Sequence, residues 1–256
     1  MPPEKLTDGT KKSRRINWLV VVILPLWVLI GFGAAQIVLV ALLFVARLFG
    51  VSFKGVDQSV FMSIVAAVVY LFSLAIIIGL PWWIKKYRTT REDIGITRLP
   101  SWMDIGLAPA GFIVYFLSSA LLVYIVGLIV PNFNLTQAQQ IGFSNLSHYY
   151  EYVLAFATLV VIAPLSEEIL FRGYLYGKLR GKMPLWMAML LTSALFGLVH
   201  GQWNVALDVF ALSMVLCSLR EITGNIWAGV LLHMLKNSLA FYILFINPGL
   251  LHTIGG

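Results

Sequence analysis

Charge is what this sequence has least of. Asp, Glu, Lys and Arg make up 11% of its 256 residues, against roughly 25% in a soluble domain. So few charges cannot cover a globular surface, which leaves lipid as the main solvent. Cysteine occurs once, at Cys217 inside an apolar run. That excludes a disulfide framework and a thiolate metal cluster, and the residue reads as a small core side chain. No HExxH or Gly-rich phosphate loop is found, and no serine or cysteine stands out as a nucleophile with its base. The net charge of +7 does not imply nucleic acid, because the basic residues sit at the ends of apolar runs and form no stripe with interleaved aromatics.

What is abundant is hydrophobe, at 60% of the chain with a mean hydropathy of +0.89. The apolar runs predict an all-α, polytopic transmembrane helical bundle of about seven spans. They cover Ile16 to Leu48, Ser59 to Ile84, Asp104 to Val130, Tyr149 to Arg180, Pro184 to His200, Val205 to Leu219 and Asn225 to Ile246. The first run is far longer than the ~7–15-residue core of a cleavable signal and reads as a retained span. Three parts are expected: a tail over 1–15, three spans and an outer loop over 16–148, and a catalytic core over 149–256. Lys and Arg collect in the tail and in every second connection, so the amino terminus is expected in the cytoplasm and the carboxyl terminus outside. For a bacterial chain that means the plasma membrane. The sequons Asn134-Leu-Thr and Asn145-Leu-Ser fall in the uncharged outer loop, and matter only in a glycosylating host.

The informative residues are those a bilayer penalises. A charge at a helix centre costs about 2.5–3.5 kcal/mol on insertion scales, so each needs a partner or a purpose. They are Glu167, Glu168 and Arg172 in the fourth span, Asp208 in the sixth and Lys236 in the seventh, joined by His200, His233 and Asn237. Gly181 to Pro184 reads as a helical-hairpin turn. At ~1.5 Å per residue, the Glu pair and His200 then lie about 20–25 Å along neighbouring rods, at similar depth. His233, Lys236 and Asn237 share one face by their i, i+3, i+4 spacing. Glu168 and Arg172 are four apart, while Glu167 is rotated about 100° from Glu168. One glutamate can therefore face a cavity while the other braces its neighbours.

These groups suit hydrolysis by activated water. A carboxylate in a dry site serves as general base, an imidazole orients water or binds a metal, and His or Asn donors steady an oxyanion. Phe196 reads as packing. Lys236 reads as a counter-charge near the site, pairing with Glu167, Glu168 or Asp208, and Asp208 as a structural partner. The bland alternatives are an interfacial ion pair for the glutamates, an interfacial His200, and interhelical hydrogen-bond glue for His233 and Asn237.

At these positions the chain resembles the CPBP family, the type II CAAX prenyl proteases and bacteriocin-processing membrane proteases. Its three motifs occur in order, as Glu167-Glu168-Ile-Leu-Phe-Arg172, Phe196-Gly-Leu-Val-His200 and His233-Met-Leu-Lys-Asn237. The resemblance covers about Tyr149 to Ile246; the first three spans match only in hydrophobicity. It implies an intramembrane endopeptidase acting on a membrane-associated or prenylated peptide substrate. Glu167 would activate water, supported by Glu168 and Arg172. His200 would position water or bind metal, and His233 with Asn237 would steady the oxyanion. Two mechanisms stay open, one metal-free and one using zinc held by Glu168, His200 and His233. The rival readings are a catalytically silent scaffold or immunity protein of the same fold, and a proton-coupled transporter.

Overall fold

A computed structural model describes residues 16–130 and 146–250. The amino-terminal tail, the asparagines of both sequons and His252 lie outside the described residues. Within them the chain is helical, without a strand, and forms seven rods: α1 Trp18–Leu48, α2 Gln58–Lys85, α3 Trp102–Ile129, α4 Tyr149–Arg180, α5 Leu185–Leu198, α6 Trp203–Thr223 and α7 Trp227–Ile246. The rods fall where hydrophobic patterning put them. Five are long and apolar enough to cross a membrane; α5 is apolar but spans 14 residues, and α6 is not among the five.

The caps follow from sequence. Asn17 accepts from the Val20 amide at the start of α1, and Asp57 accepts from the Ser59 and Val60 amides at the start of α2, each satisfying amides that open a helix unpaired. Gly224, with φ +64°, closes α6 in the left-handed conformation that glycine adopts freely.

Prolines inside the rods leave carbonyls that neighbouring helices then use. Pro81 has no N–H for the carbonyl four residues back, and that carbonyl, of Ile77, accepts the Trp27 indole N–H at 3.0 Å. The bond ties α1 to α2. In α4 the backbone widens into i→i+5 turns over Ala157–Ile162, where the Ala163 amide reaches the Thr158 carbonyl. The next donor in step would be residue 164, a proline. Its missing N–H leaves the Leu159 carbonyl to accept Asn237 Nδ2 from α7 at 2.9 Å. A second wide segment, Glu168–Tyr176, carries the charged motif itself. The sequence reading assumed regular α-helix here; i→i+5 turns recur at functional sites.

The innermost rod is α4, with 44% of its most apolar stretch buried, against 6% in α3. Its buried residues join those of α1, α2, α5 and α6 in one core, while α3, α6 and α7 form a second. Exposed apolar side chains such as Ile113, Phe116 and Leu117 on α3 face outward, as suits a lipid solvent.

The connection from α2 to α3 is a strap across one end of the bundle. Thr90 and Asp93 bond reciprocally, and the Thr90 amide lowers the Asp93 carboxyl below the usual carboxylate range. Stabilisation from this turn is therefore present above the ordinary pKa and fades as pH falls through the lowered one. Further along, the Gly95 carbonyl accepts from the Ile226 amide, Thr97 Oγ1 from Asn225 Nδ2 and the Arg98 carbonyl from the Trp227 indole. These bonds fix the α6–α7 turn, and the strap also lies against α4 at Gly173, where an added Cβ would stand 2.4 Å from the Ile94 carbonyl oxygen. Gly173→Ala is expected to lower stability by roughly 1–3 kcal/mol. Gly106→Ala on exposed α3, where a Cβ meets nothing within 4 Å, should be neutral or gain up to ~1 kcal/mol. Thermal unfolding of the two variants in detergent checks the contrast.

Candidate functional site

Glu168 and Arg172 stand one turn apart on α4, both fully buried, with Arg172 Nη1 donating to Glu168 Oε1 at 2.9 Å. His233 of α7 reaches the same oxygen through Nδ1 at 3.1 Å. A carboxylate only accepts, so this partner assigns the imidazole proton to Nδ1. The central carbon of the Arg172 guanidinium lies over the Phe196 ring, 4.3 Å from its centre, a cation–π contact that suits a dry site. Gly229 lets α7 approach closely, since a Cβ there would sit 3.0 Å from Glu168 Oε2. Glu168 is thus locked, with no path to a substrate.

The neighbouring carboxylate is placed differently. Glu167 is 13% exposed and lines a cavity of about 710 Å³, as does His200. Its Oε1 accepts the Tyr70 hydroxyl of α2 at 2.5 Å, and its Oε2 lies 3.7 Å from His233 Nε2. His200 lies just past the end of α5, before Gly201 with φ +70°. Its Nδ1 donates to the Phe196 carbonyl at 2.7 Å. A carbonyl accepts only, so in neutral His200 the other ring nitrogen, Nε2, carries a lone pair. The Phe196 ring packs edge-on against both His200 and His233, so this buried residue spaces the two imidazoles in addition to packing the hairpin.

The structure therefore brings Glu167, Glu168, Arg172, His200 and His233 into one cluster. It also corrects parts of the sequence reading. The cavity is not confined to the expected catalytic core over 149–256: α1 and α2 supply most of its lining, including Phe32, Gln36, Phe61 and Tyr70, with α4, α5 and the residues just after α5 completing it. The sequence signal for Tyr70 and Gln36 was available, since a polar side chain deep in an apolar helix needs a partner. His233 and Asn237, expected to hold an oxyanion, are not among the lining residues. Asn237 donates to the Leu159 carbonyl and His233 to Glu168, so both join α7 to α4. Lys236 is not the counter-charge of the glutamates. Its Nζ lies 3.6 Å from Asp208 Oδ2, while Asp208 Oδ1 accepts Tyr115 and Ser119 of α3 at 2.7 Å each. Asp208 is a structural partner, as expected. His148 pairs with Glu151 at 2.7 Å, and Cys217 is fully buried. Among the described residues, no three of His, Cys, Asp and Glu come together in a way that could hold a metal ion. Of the zinc candidates, Glu168 is engaged by Arg172 and His233 through the same oxygen.

Arg172→Met is expected to lower stability by about 3–5 kcal/mol, because it strands a buried carboxylate, and adding Glu168→Gln should restore part of that loss. Unfolding of both single variants and the double variant checks the coupling; a double loss equal to the sum of the single losses would show that the two groups act independently.

Comparisons with known proteins find relatives of the segment that carries these residues. Residues 149–239 match the family described as type II CAAX prenyl endopeptidase Rce1-like. An Escherichia coli protein named "Uncharacterized 24.3 kDa protein" is 33% identical over 87 residues, covering 32% of this chain and 40% of its own. The "Putative membrane peptidase YdiL" of Bacillus subtilis (strain 168) is 31% identical over 78 residues, covering 30% of this chain and 32% of its own. The "UPF0177 protein YxdF" of Lactococcus lactis subsp. lactis (strain IL1403) is 50% identical over 42 residues, covering 16% and 22%. The chain thus covers less than half the length of each of these relatives. No solved structure matches it.

Proposed function

We propose, from the match of residues 149–239 to the type II CAAX prenyl endopeptidase Rce1-like family, that this chain is an intramembrane endopeptidase in which Glu167 activates water. The observation that carries the reading is the sharing of one cavity by Glu167 and His200 while Glu168, one residue from Glu167, is sealed by Arg172 and His233. A water in that cavity can donate one hydrogen to Glu167 and the other to the His200 Nε2 lone pair. Held this way, its oxygen is free to attack a carbonyl carbon, and Glu167 takes the proton as general base. Glu168, Arg172, His233 and Asn237 keep α4 and α7 in register. The reading is metal-free: what supports it is that Glu168 and His233 are engaged with each other and that, among the described residues, no three of His, Cys, Asp and Glu come together in a way that could hold a metal ion. The substrate class proposed is a membrane-associated peptide, supported by a cavity with mostly apolar walls at membrane depth.

The test is cleavage of internally quenched, lipid-anchored peptides by the full chain in nanodiscs, with metal analysis of the same preparation. Glu167→Ala is expected to lower kcat by about 10²–10⁴-fold, and a chelator is expected to leave the wild-type rate unchanged. Activity surviving Glu167→Ala would overturn the glutamate mechanism. Loss on chelation that returns with zinc would overturn the metal-free one. A folded wild type that cleaves none of the peptides would favour a silent scaffold.

A further inference from the structure

We propose that Tyr70 of α2 is a further catalytic residue, the hydroxyl that donates to the oxygen made negative during hydrolysis. The inference rests on Glu167 acting as the base. Attack of water on a peptide carbonyl puts a full negative charge on the former carbonyl oxygen, and a dry cavity must meet it with a hydrogen-bond donor. His233 and Asn237, the donors first expected there, do not line the cavity. His233 gives Nδ1–H to Glu168, Asn237 gives an amide hydrogen to the Leu159 carbonyl, and His200 gives Nδ1–H to the Phe196 carbonyl. Arg172 is fully buried on Glu168. Of the polar side chains lining the cavity, namely Gln36, Tyr70, Glu167 and His200, only Tyr70 and Gln36 bring a neutral donor, and only Tyr70 bonds the proposed base.

At rest the Tyr70 hydroxyl donates to Glu167 Oε1. Water then forms its oxygen–carbon bond as one of its protons passes to Glu167, so the carboxylate becomes a neutral acid while the substrate oxygen becomes an anion. A hydrogen bond to an ionised acceptor is roughly twice as strong as one to a neutral acceptor. The single phenolic proton is therefore drawn from the glutamic acid to the oxyanion at the moment the charge moves. On collapse the carbon–nitrogen bond breaks, the leaving nitrogen takes the proton held by Glu167, and the Tyr70 hydroxyl returns to the regenerated carboxylate. The phenol keeps its own proton throughout, and the step needs no further reactant.

The decisive measurement replaces Tyr70 with 3-fluorotyrosine and 3,5-difluorotyrosine in the full chain. Turnover of the same lipid-anchored quenched peptides is followed at a pH where the phenols stay protonated. A more acidic hydroxyl serving the oxyanion raises kcat. One that only holds Glu167 weakens the base and lowers kcat, and a purely structural hydroxyl leaves it flat. The expected result is a rise with acidity, together with a loss of about 10²–10³-fold in kcat for Tyr70→Phe, the size of one oxyanion donor, at nearly constant KM. Tyr115→Phe, whose hydroxyl bonds Asp208 on α6, serves as the control and should leave kcat unchanged. A flat or falling fluorotyrosine series in an enzyme that Glu167→Gln inactivates overturns the role of Tyr70 and leaves the hydrolase reading standing. Activity retained by Glu167→Gln overturns both.

Discussion

The structure depends on one buried ion pair. Arg172 and Glu168 are fully buried on the same helix, in surroundings where an unpaired charge is expensive. Pairing them through i,i+4 spacing removes most of that penalty within α4 itself. The remaining acceptor capacity of the Glu168 oxygen then recruits His233 from α7. This sets the depth at which the two rods meet. The consequence for chemistry follows from helix geometry. Adjacent residues diverge by about 100°, so a helix that turns Glu168 into its packed interior must turn Glu167 away from it. The side chain next in sequence to the sealed carboxylate is therefore aimed at the cavity.

Broken helices supply much of the remaining polar attachment. A bilayer offers no water to a carbonyl left without its ladder partner, so another helix must provide the donor. Pro164 leaves the Leu159 carbonyl to Asn237, and Pro81 has no N–H for the Ile77 carbonyl that takes the Trp27 indole. In both cases the proline lies on one rod and its compensation on another, so a local defect becomes an interhelical bond. The wide turns of α4 share this character, because they place the motif residues on a backbone already departing from regular α-helix.

The rods and the gathering of the buried polar residues were legible in sequence because both rest on cost. Long apolar runs have no other stable form in lipid, and the few charges inside them had to be paired or functional. The cavity wall was not legible. Phe32 and Phe61 line it, yet Phe116 on α3, of the same residue type, faces outward, and only the packing of α1 against α2 and α4 tells them apart. The partner of Lys236 was open for a related reason. Spacing puts Lys236 on the face of His233 and Asn237, but pairing with Asp208 depends on how α6 and α3 stand beside α7, with Tyr115 and Ser119 completing the carboxylate's shell. Asn237 shows the limit most clearly, since its motif position suggested chemistry while the proline that frees the Leu159 carbonyl gives it a structural bond.

This division has a consequence for how the site is specified. Glu167, the Glu168–Arg172 pair and both imidazoles come from residues 149–239, the stretch that matches the family. Most of the cavity lining, with Gln36 and Tyr70, comes from α1 and α2, which lie outside that stretch. What enters the cavity is governed by side-chain volume along α1 and α2, whereas the state of Glu167 is governed mainly by α4, α5 and α7. The two halves meet at the bond between Tyr70 and Glu167. A change in the volume of Phe61 or Phe32 therefore reshapes the cavity without removing a bond from the Glu168–Arg172 pair, and a change at Tyr70 takes a hydrogen bond from Glu167 and leaves that pair in place. Because Tyr70 of α2 bonds Glu167 of α4, the cavity wall and the motif residues are tied together at the one carboxylate that faces the cavity.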